Sequence, residues 1–232
     1  MNRQALKIQY IYHSGFRVET EKHILIFDYF QGPIHLGDKK TYVFSSHSHP
    51  DHFNPAIFSW QNQNPDTSYI LSRDISLTQK QDHVYFLSPC EEITIDDLKI
   101  KAYGSTDLGV SFLVQCLGVN LFHAGDLNWW HWWKDIPEEN AKAEVSFKEE
   151  ISRMKGENVN IAFFPVDSRL EHYYCIGADY FIQEISPAYL IPMHFGDDLQ
   201  TPMKYAKIME KSPTKVISVS KPGQEFYLPF YE

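Results

Sequence analysis

The stretch Ser45-Ser-His-Ser-His-Pro-Asp-His-Phe53 places His47, His49, Asp51 and His52 directly after a short apolar run. Imidazole nitrogen and carboxylate oxygen are donors that Zn²⁺ favours and that Mn²⁺ or Fe²⁺ accept. Residues two apart on an extended segment point the same way, so His47 and His49 can chelate one ion. Asp51 and His52, at the following turn, can face a second. A single surface histidine is ordinarily just a polar residue; His-x-His-x-Asp-His at a strand-to-helix turn points to metal. The cluster is only half of a two-ion site, so further ligands must come from other elements.

Asp126 and His194 are the candidates. Each follows an apolar strand, Val119 to Phe122 and Tyr189 to Ile191, and strand ends are where functional groups gather. Taken singly, Asp126 reads as a turn aspartate and His194 as a hydrogen-bonded strand-end histidine. Beside the first cluster, both become ligand candidates.

The elements that position these groups follow from periodicity. Strands are expected at Leu6 to Tyr12, Phe16 to Glu19, Ile24 to Phe27, Tyr42 to Phe44, Ser68 to Leu71, Val84 to Leu87, Leu98 to Tyr103, Val110 to Gln115 and Val119 to Phe122. Asn54-Pro55 supplies a cap and a first helical residue for a short helix through Ala56 to Trp60. From Pro137 the period becomes helical: Phe147, Ile151 and Met154 share a face, Glu138/Lys142, Glu144/Lys148 and Glu149/Arg153 are favourable pairs, and Gly156 is the stop. Strands at Val159 to Phe164, Tyr189 to Ile191 and Lys215 to Val219 then alternate with helices at Ala178 to Ile185 and Pro202 to Met209. The order implies one α/β domain over residues 1–232, two sheets covered by helices.

Hydrophobic residues form 43% and aromatics 15% of the 232 residues, which is a globular composition with a ring-rich core. Lys and Arg total 21 against 30 Asp and Glu, and the net charge of -9 argues against nucleic acid or an anionic membrane as partner. No secretory signal or bilayer-spanning run is visible, so a cytoplasmic location is expected. Cys90, Cys116 and Cys175 are too dispersed for a disulfide framework or a CxxC zinc site, and read as free thiols.

His47-x-His49-x-Asp51-His52, Ile26-Phe27-Asp28, His123-Ala124-Gly125-Asp126 and Pro192-Met193-His194, in this order, resemble the metallo-β-lactamase superfamily. The resemblance spans nearly the whole chain and implies a four-layer αββα sandwich. It also implies one or two divalent ions, Zn²⁺ foremost, with Asp126 bridging and His194 as last ligand. Tyr12-His13-Ser14-Gly15-Phe16 and the Pro-Met-His ending look most like the branch of stand-alone hydrolases that includes L-ascorbate-6-phosphate lactonase. Asp28 is similar to the family's strand-ending aspartate that supports the metal loop; capping of local backbone is its ordinary alternative. His13 is placed near the pocket by the resemblance, with a packed strand histidine as the alternative.

One element of the family pattern is missing. Ser105, in Gly104-Ser-Thr-Asp-Leu-Gly109, stands where the family carries a further histidine, and a neutral hydroxyl is a poor Zn²⁺ ligand. Asp107 can reach in from the same turn; His47, His49 and Asp126 can hold the first ion without a replacement; or only the second ion, on Asp51, His52, Asp126 and His194, binds tightly.

Two ions roughly 3.5 to 4 Å apart generate hydroxide and stabilise an oxyanion. The expected reaction is therefore hydrolysis of a small anionic, ester, lactone or phosphodiester substrate, with Asp51 orienting water or moving its proton. Leu127-Asn-Trp-Trp-His-Trp-Trp-Lys134 suggests either a lid over the site, with Trp130 at its rim and His131 as acid or anion contact, or an aromatic core plug. Arg169 can recognise a carboxylate or phosphate, or be an ordinary salt-bridged arginine. A metal-binding relative that has lost catalysis, a nuclease and a β-lactamase are the less favoured readings, and oligomeric state is not readable.

Overall fold

The computed structural model of the protein describes residues 3–78 and 81–231. The first sheet runs β14-β1-β2-β3-β4-β5-β6, where β1 is Arg3–Tyr12, β2 Gly15–Glu19, β3 His23–Phe27, β4 Lys40–Ser45, β5 Thr67–Ser72, β6 Val84–Leu87 and β14 Glu225–Tyr231. The second runs β13-β12-β11-β10-β9-β8-β7, with β7 Glu92–Ile95, β8 Leu98–Tyr103, β9 Ser111–Cys116, β10 Val119–His123, β11 Ile161–Pro165, β12 Tyr189–Met193 and β13 Lys215–Val216. In each sheet an antiparallel meander passes into parallel strands: β3 through β6 in the first, β10 through β13 in the second.

Strand side chains alternate between faces, and the aromatic residues exploit this. Phe16 meets Phe163 at 4.5 Å and Phe44 meets Phe112 at 5.4 Å in the core shared by the two sheets. The next residue along, Phe164, faces outward and stacks on Phe181 of helix α2 (Ile176–Ile185) at 4.7 Å. Helix α1 (Pro137–Arg153) buries Phe147 and Ile151 in the same core as the expected stripe, and α3 (Gln200–Ile208) buries Tyr205. These elements form the α/β sandwich that the order of strands and helices implies.

The outer face of the first sheet is covered more thinly. Ile24, Ile26, Val43, Tyr69 and Leu71 pack under Ile57 and Trp60 of a 3-10 helix, Pro55–Asn62, where the sequence suggested an ordinary short helix. Asn54 caps it as expected, accepting from Ala56 N–H at 2.9 Å.

Two strands and one turn escaped the periodicity. β14 contains Pro229, which reads as a breaker; as an edge strand it tolerates the missing donor. β7 is a short edge strand beginning at Glu92, too polar to register. Ser168–Tyr173 forms a 3-10 turn within the loop after β11. One expected helix pair also changes: Arg153 binds Glu150 at 2.7 Å instead of Glu149.

Candidate metal centre

The parallel strands end on one rim, and the site is built there. β3 ends at Asp28, β4 leads into His47, β10 into Asp126, and β12 into His194. Carboxyl ends of parallel strands are the general location of ligand sites in such sheets.

Asp28 organises the first half. Fully buried, it accepts from Ser46 N–H at 2.7 Å, Ser46 Oγ–H at 2.6 Å and His52 Nδ1–H at 2.7 Å. Burial disfavours its charge, but His123 and His52 outweigh that and hold the carboxyl at about 2. Ser46 Oγ, having donated its proton to Asp28, accepts from His47 Nδ1–H at 2.9 Å. Both His47 and His52 thereby present Nε2 with its lone pair toward Asp126, at 3.4 Å from Oδ2 and 3.1 Å from Oδ1 respectively. Asp28 thus supports the loop from behind and does not face the cavity.

The second half repeats the arrangement. Asp167, two residues beyond β11, accepts from His194 Nδ1–H at 2.9 Å, so His194 Nε2 points at Asp126 Oδ1, 3.2 Å away. Burial again works against the Asp167 charge, and hydrogen bonds from His194 and Arg169 bring the carboxyl to about 2. Orienting carboxylates of this kind fix ring direction and raise ligand basicity. Sequence reasoning passed over Asp167 and Ser46; the available signal was an aspartate just past a buried parallel strand, as at Asp28.

Asp126 is therefore ringed by nitrogen lone pairs, its two oxygens facing opposite sides. His13 Nε2, His52 Nε2 and Asp126 Oδ1 are buried without a hydrogen-bond partner. Buried polar atoms are rarely left so, and three acceptors aimed together ask for a cation. Two ligand groups have donor atoms within 4.8 Å of one another: His47, His49 and Asp126; and His13, Asp51, His52 and His194. Burial disfavours charge on His194, yet Asp126 and Asp167 outweigh it and raise its pKa to about 9. The donor set fits a divalent metal, in one or two positions.

The turn that lacks a histidine still presses on the site. A Cβ at Gly109 would lie 2.1 Å from Ser46 O and 2.6 Å from His47 Cβ, so only glycine allows this approach. Ser105 turns into its own loop, where Oγ accepts from Asp107 N–H at 3.3 Å. The Asp107 carboxylate borders the cavity 3.8 Å from His49 Nδ1, with half its side chain exposed, and is outside both ligand groups.

The cavity above Asp126 encloses about 460 Å³ and is walled by Trp130, Trp132, Arg169 and the exposed edges of His49 and Asp51. The tryptophan loop divides its work. Trp130 stacks on Trp132 at 5.8 Å and donates Nε1–H to Asp126 O at 3.0 Å, whereas Trp129 packs against Phe147 on the far side. One segment thus borders the cavity and packs against the core. His131 does not border the cavity: its ring lies on Tyr173 at 3.9 Å, because side chains alternate along this loop. The role as acid or anion contact expected for it is withdrawn. Arg169 pairs with Asp167 through Nε at 3.0 and 2.9 Å, the ordinary reading, and also borders the cavity.

Residues 7–130 match the β-lactamase superfamily domain, which is more than half of the chain and includes His13, the histidine cluster and Asp126. The chain belongs to the metallo-β-lactamase superfamily. Among solved structures of this superfamily's fold, Igni18, a metallo hydrolase from Ignicoccus hospitalis, is 17% identical, with a TM-score of 0.71 over 98% of this chain and 100% of its own. The metallo-β-lactamase fold protein YhfI from Bacillus subtilis gives 13% identity and 0.60 over 97% and 99%. CmlA, a diiron β-hydroxylase from Streptomyces venezuelae, gives 10% identity and 0.62 over 98% of this chain but 55% of its own. These likenesses establish the fold. No curated protein matches the sequence.

Proposed function

We propose that the protein is a metal-dependent hydrolase of a small anionic substrate that carries an ester, lactone or phosphodiester bond. One observation carries the reading: six histidine and aspartate side chains gather around Asp126 beneath a cavity walled by an arginine and two stacked tryptophans. His47, His49 and Asp126 would hold one ion, and Asp51, His52, His194 and Asp126 the other, with Zn²⁺ favoured and Mn²⁺ or Fe²⁺ compatible. A divalent ion in such a site acts as a Lewis acid and lowers the pKa of the water it holds.

The chain's own residues do the rest. Asp51, whose side chain is 46% exposed at the cavity edge, takes the proton of the attacking water and returns it to the leaving oxygen. Arg169 faces the cavity beside His194 and offers the charge that draws an anionic group. Trp130 and Trp132, with Trp132 under the Arg169 guanidinium, exclude bulk water beside it and cover an apolar or ring-shaped part of the substrate.

Support for the lactonase-like branch comes from its two motifs touching: His194 N–H donates to His13 O at 3.1 Å. No helix among the described residues is long and apolar enough to cross a membrane. With that, we propose a cytoplasmic enzyme acting on a diffusible molecule.

The test is turnover of a simple lactone, a p-nitrophenyl ester and bis-p-nitrophenyl phosphate by chelated protein reloaded with Zn²⁺, Mn²⁺ or Fe²⁺. Turnover of at least one, lost on chelation and in Asp51→Ala, supports the proposal. Metal-loaded protein inert toward all three would overturn it and leave a metal-binding relative without hydrolysis.

A further inference from the structure

The family resemblance places His13 near the pocket, with a packed strand histidine as the alternative, and its geometry asks for more. Its backbone has φ of 54°, in the left-handed region that non-glycine residues seldom occupy. Asp28 at 41° and His194 at 66° share this conformation. Strain of this kind persists where the surroundings over-determine it, commonly at functional sites.

Three hydrogen bonds hold the His13 turn in place, two of them from other parts of the centre. His13 N–H donates to Tyr10 Oη at 2.9 Å, His13 O accepts from His194 N–H at 3.1 Å, and Ser14 O accepts from His123 Nε2 at 2.9 Å. His123 is fully buried and has Nδ1 engaged by Gly125 N–H at 3.2 Å, so its tautomer is fixed and it ties the His13 turn to the Asp126 loop. Gly15 has no room for a Cβ, which would sit 2.9 Å from Tyr12 O.

The imidazole so positioned is 9% exposed, with its centroid 4.2 Å from that of His194 and 5.5 Å from that of His52. Its Nε2 is buried, lacks a hydrogen-bond partner and lies 3.5 Å from Asp51 Oδ2. A strand histidine kept only for packing would turn its nitrogens to partners or solvent. This one aims Nε2 at the space enclosed by Asp51, His52 and His194.

Resting on the metal-site reading above, we infer that His13 is a ligand of the ion held by Asp51, His52 and His194. The chain then distributes its donors unequally. With Asp126 Oδ1, the second position has five protein groups, whereas the first has His47, His49 and Asp126 Oδ2, and Ser105 contributes none. The result is one ion held tightly and one held loosely, the loose one bordering the cavity at His49.

The test is Zn²⁺ titration of chelated, full-length protein against a competing chromophoric chelator, with imidazole donors counted by X-ray absorption at one bound equivalent. His13→Ala and His13→Gly are compared; glycine preserves the left-handed backbone if alanine unfolds it. The expected result is a tight-ion Kd raised by about tenfold or more, a loose-ion Kd unchanged, and one imidazole fewer. Unchanged tight-ion affinity in both variants overturns the inference, as does equal weakening of both ions in folded His13→Gly, which marks a structural role. His52→Ala separates the levels: if it also retains the tight ion, the metal-site reading itself fails. None of these readouts depends on substrate.

Discussion

His194 and Asp167 are joined at 2.9 Å through Nδ1, just as His52 and Asp28 are joined at 2.7 Å across the site. In both halves an aspartate beyond one parallel strand steers a histidine that follows the neighbouring strand, β3 to β4 and β11 to β12.

This pairing predicts the behaviour of the two aspartates. Asp167→Asn should weaken Zn²⁺ binding by roughly 10- to 100-fold with a smaller loss of apo stability than Asp28→Asn, since its second partner, Arg169, is more than half exposed. Asp28→Asn should weaken Zn²⁺ similarly and also destabilise the apo protein by about 2–3 kcal/mol, because it leaves the buried Ser46 donors and His52 mismatched. Chelator competition and urea unfolding of both variants decide this; equal stability losses would contradict the asymmetry.

Metal should stabilise the fold, because its ligands come from both sheets and the unfolded chain cannot gather them. At free Zn²⁺ about 100-fold above Kd the gain is roughly 2.7 kcal/mol. For a domain of this size that is a Tm rise of about 5–10 °C. A thermal melt with and without chelator measures it, and coincident melts would deny a preformed site.

Trp132→Ala should raise KM about tenfold for anionic substrates bearing a ring, leaving kcat and metal content near wild type. Trp132 lies under the Arg169 guanidinium at 5.8 Å and beside Trp130, and belongs to neither ligand group, so its loss removes binding surface worth about 1–2 kcal/mol. A fall in kcat with unchanged KM would place Trp132 nearer the chemistry.

Alkaline pH should destabilise the protein. Burial, reinforced by Asp97, pushes the Cys116 thiol up to about 12, and burial with Asp179 does the same for Cys175. An unfolded thiol titrates near 8.5, so the folded state retains protons that the unfolded state releases. The contribution of these thiols is complete below pH ~8.5 and is lost as pH rises toward about 12, at roughly 1.4 kcal/mol per pH unit for a fully buried thiol. Urea midpoints from pH 8 to 11 should fall, and less steeply in Cys116→Ala. A flat profile in wild type would refute the account.

Much of this was legible in the chain because the chemistry is dense where the periodicity is clear. His47, His49, Asp51 and His52 announce themselves in one turn, and Asp126 and His194 follow strands whose apolar runs place them at a rim. His13 was harder: its role depends on the rotation of one imidazole in a left-handed turn, which spacing does not encode. Asp167 was obscured by its neighbour Arg169, the more conspicuous charge. His131 misled because four tryptophans made its whole segment look like one surface, whereas alternation sends neighbouring side chains to opposite sides.

The seating of β14 beside β1 has a kinetic side. The first sheet borrows its edge strand from the far end of the chain, pairing Arg3 with Tyr231. Such contacts close the largest loops, and their ordering entropy must be met before they add stability. Completion of the sheet that carries the histidine cluster therefore waits for β14, the last made of its own strands. A ribosome-bound chain can display His47 to His52 long before it can shut the sheet around them.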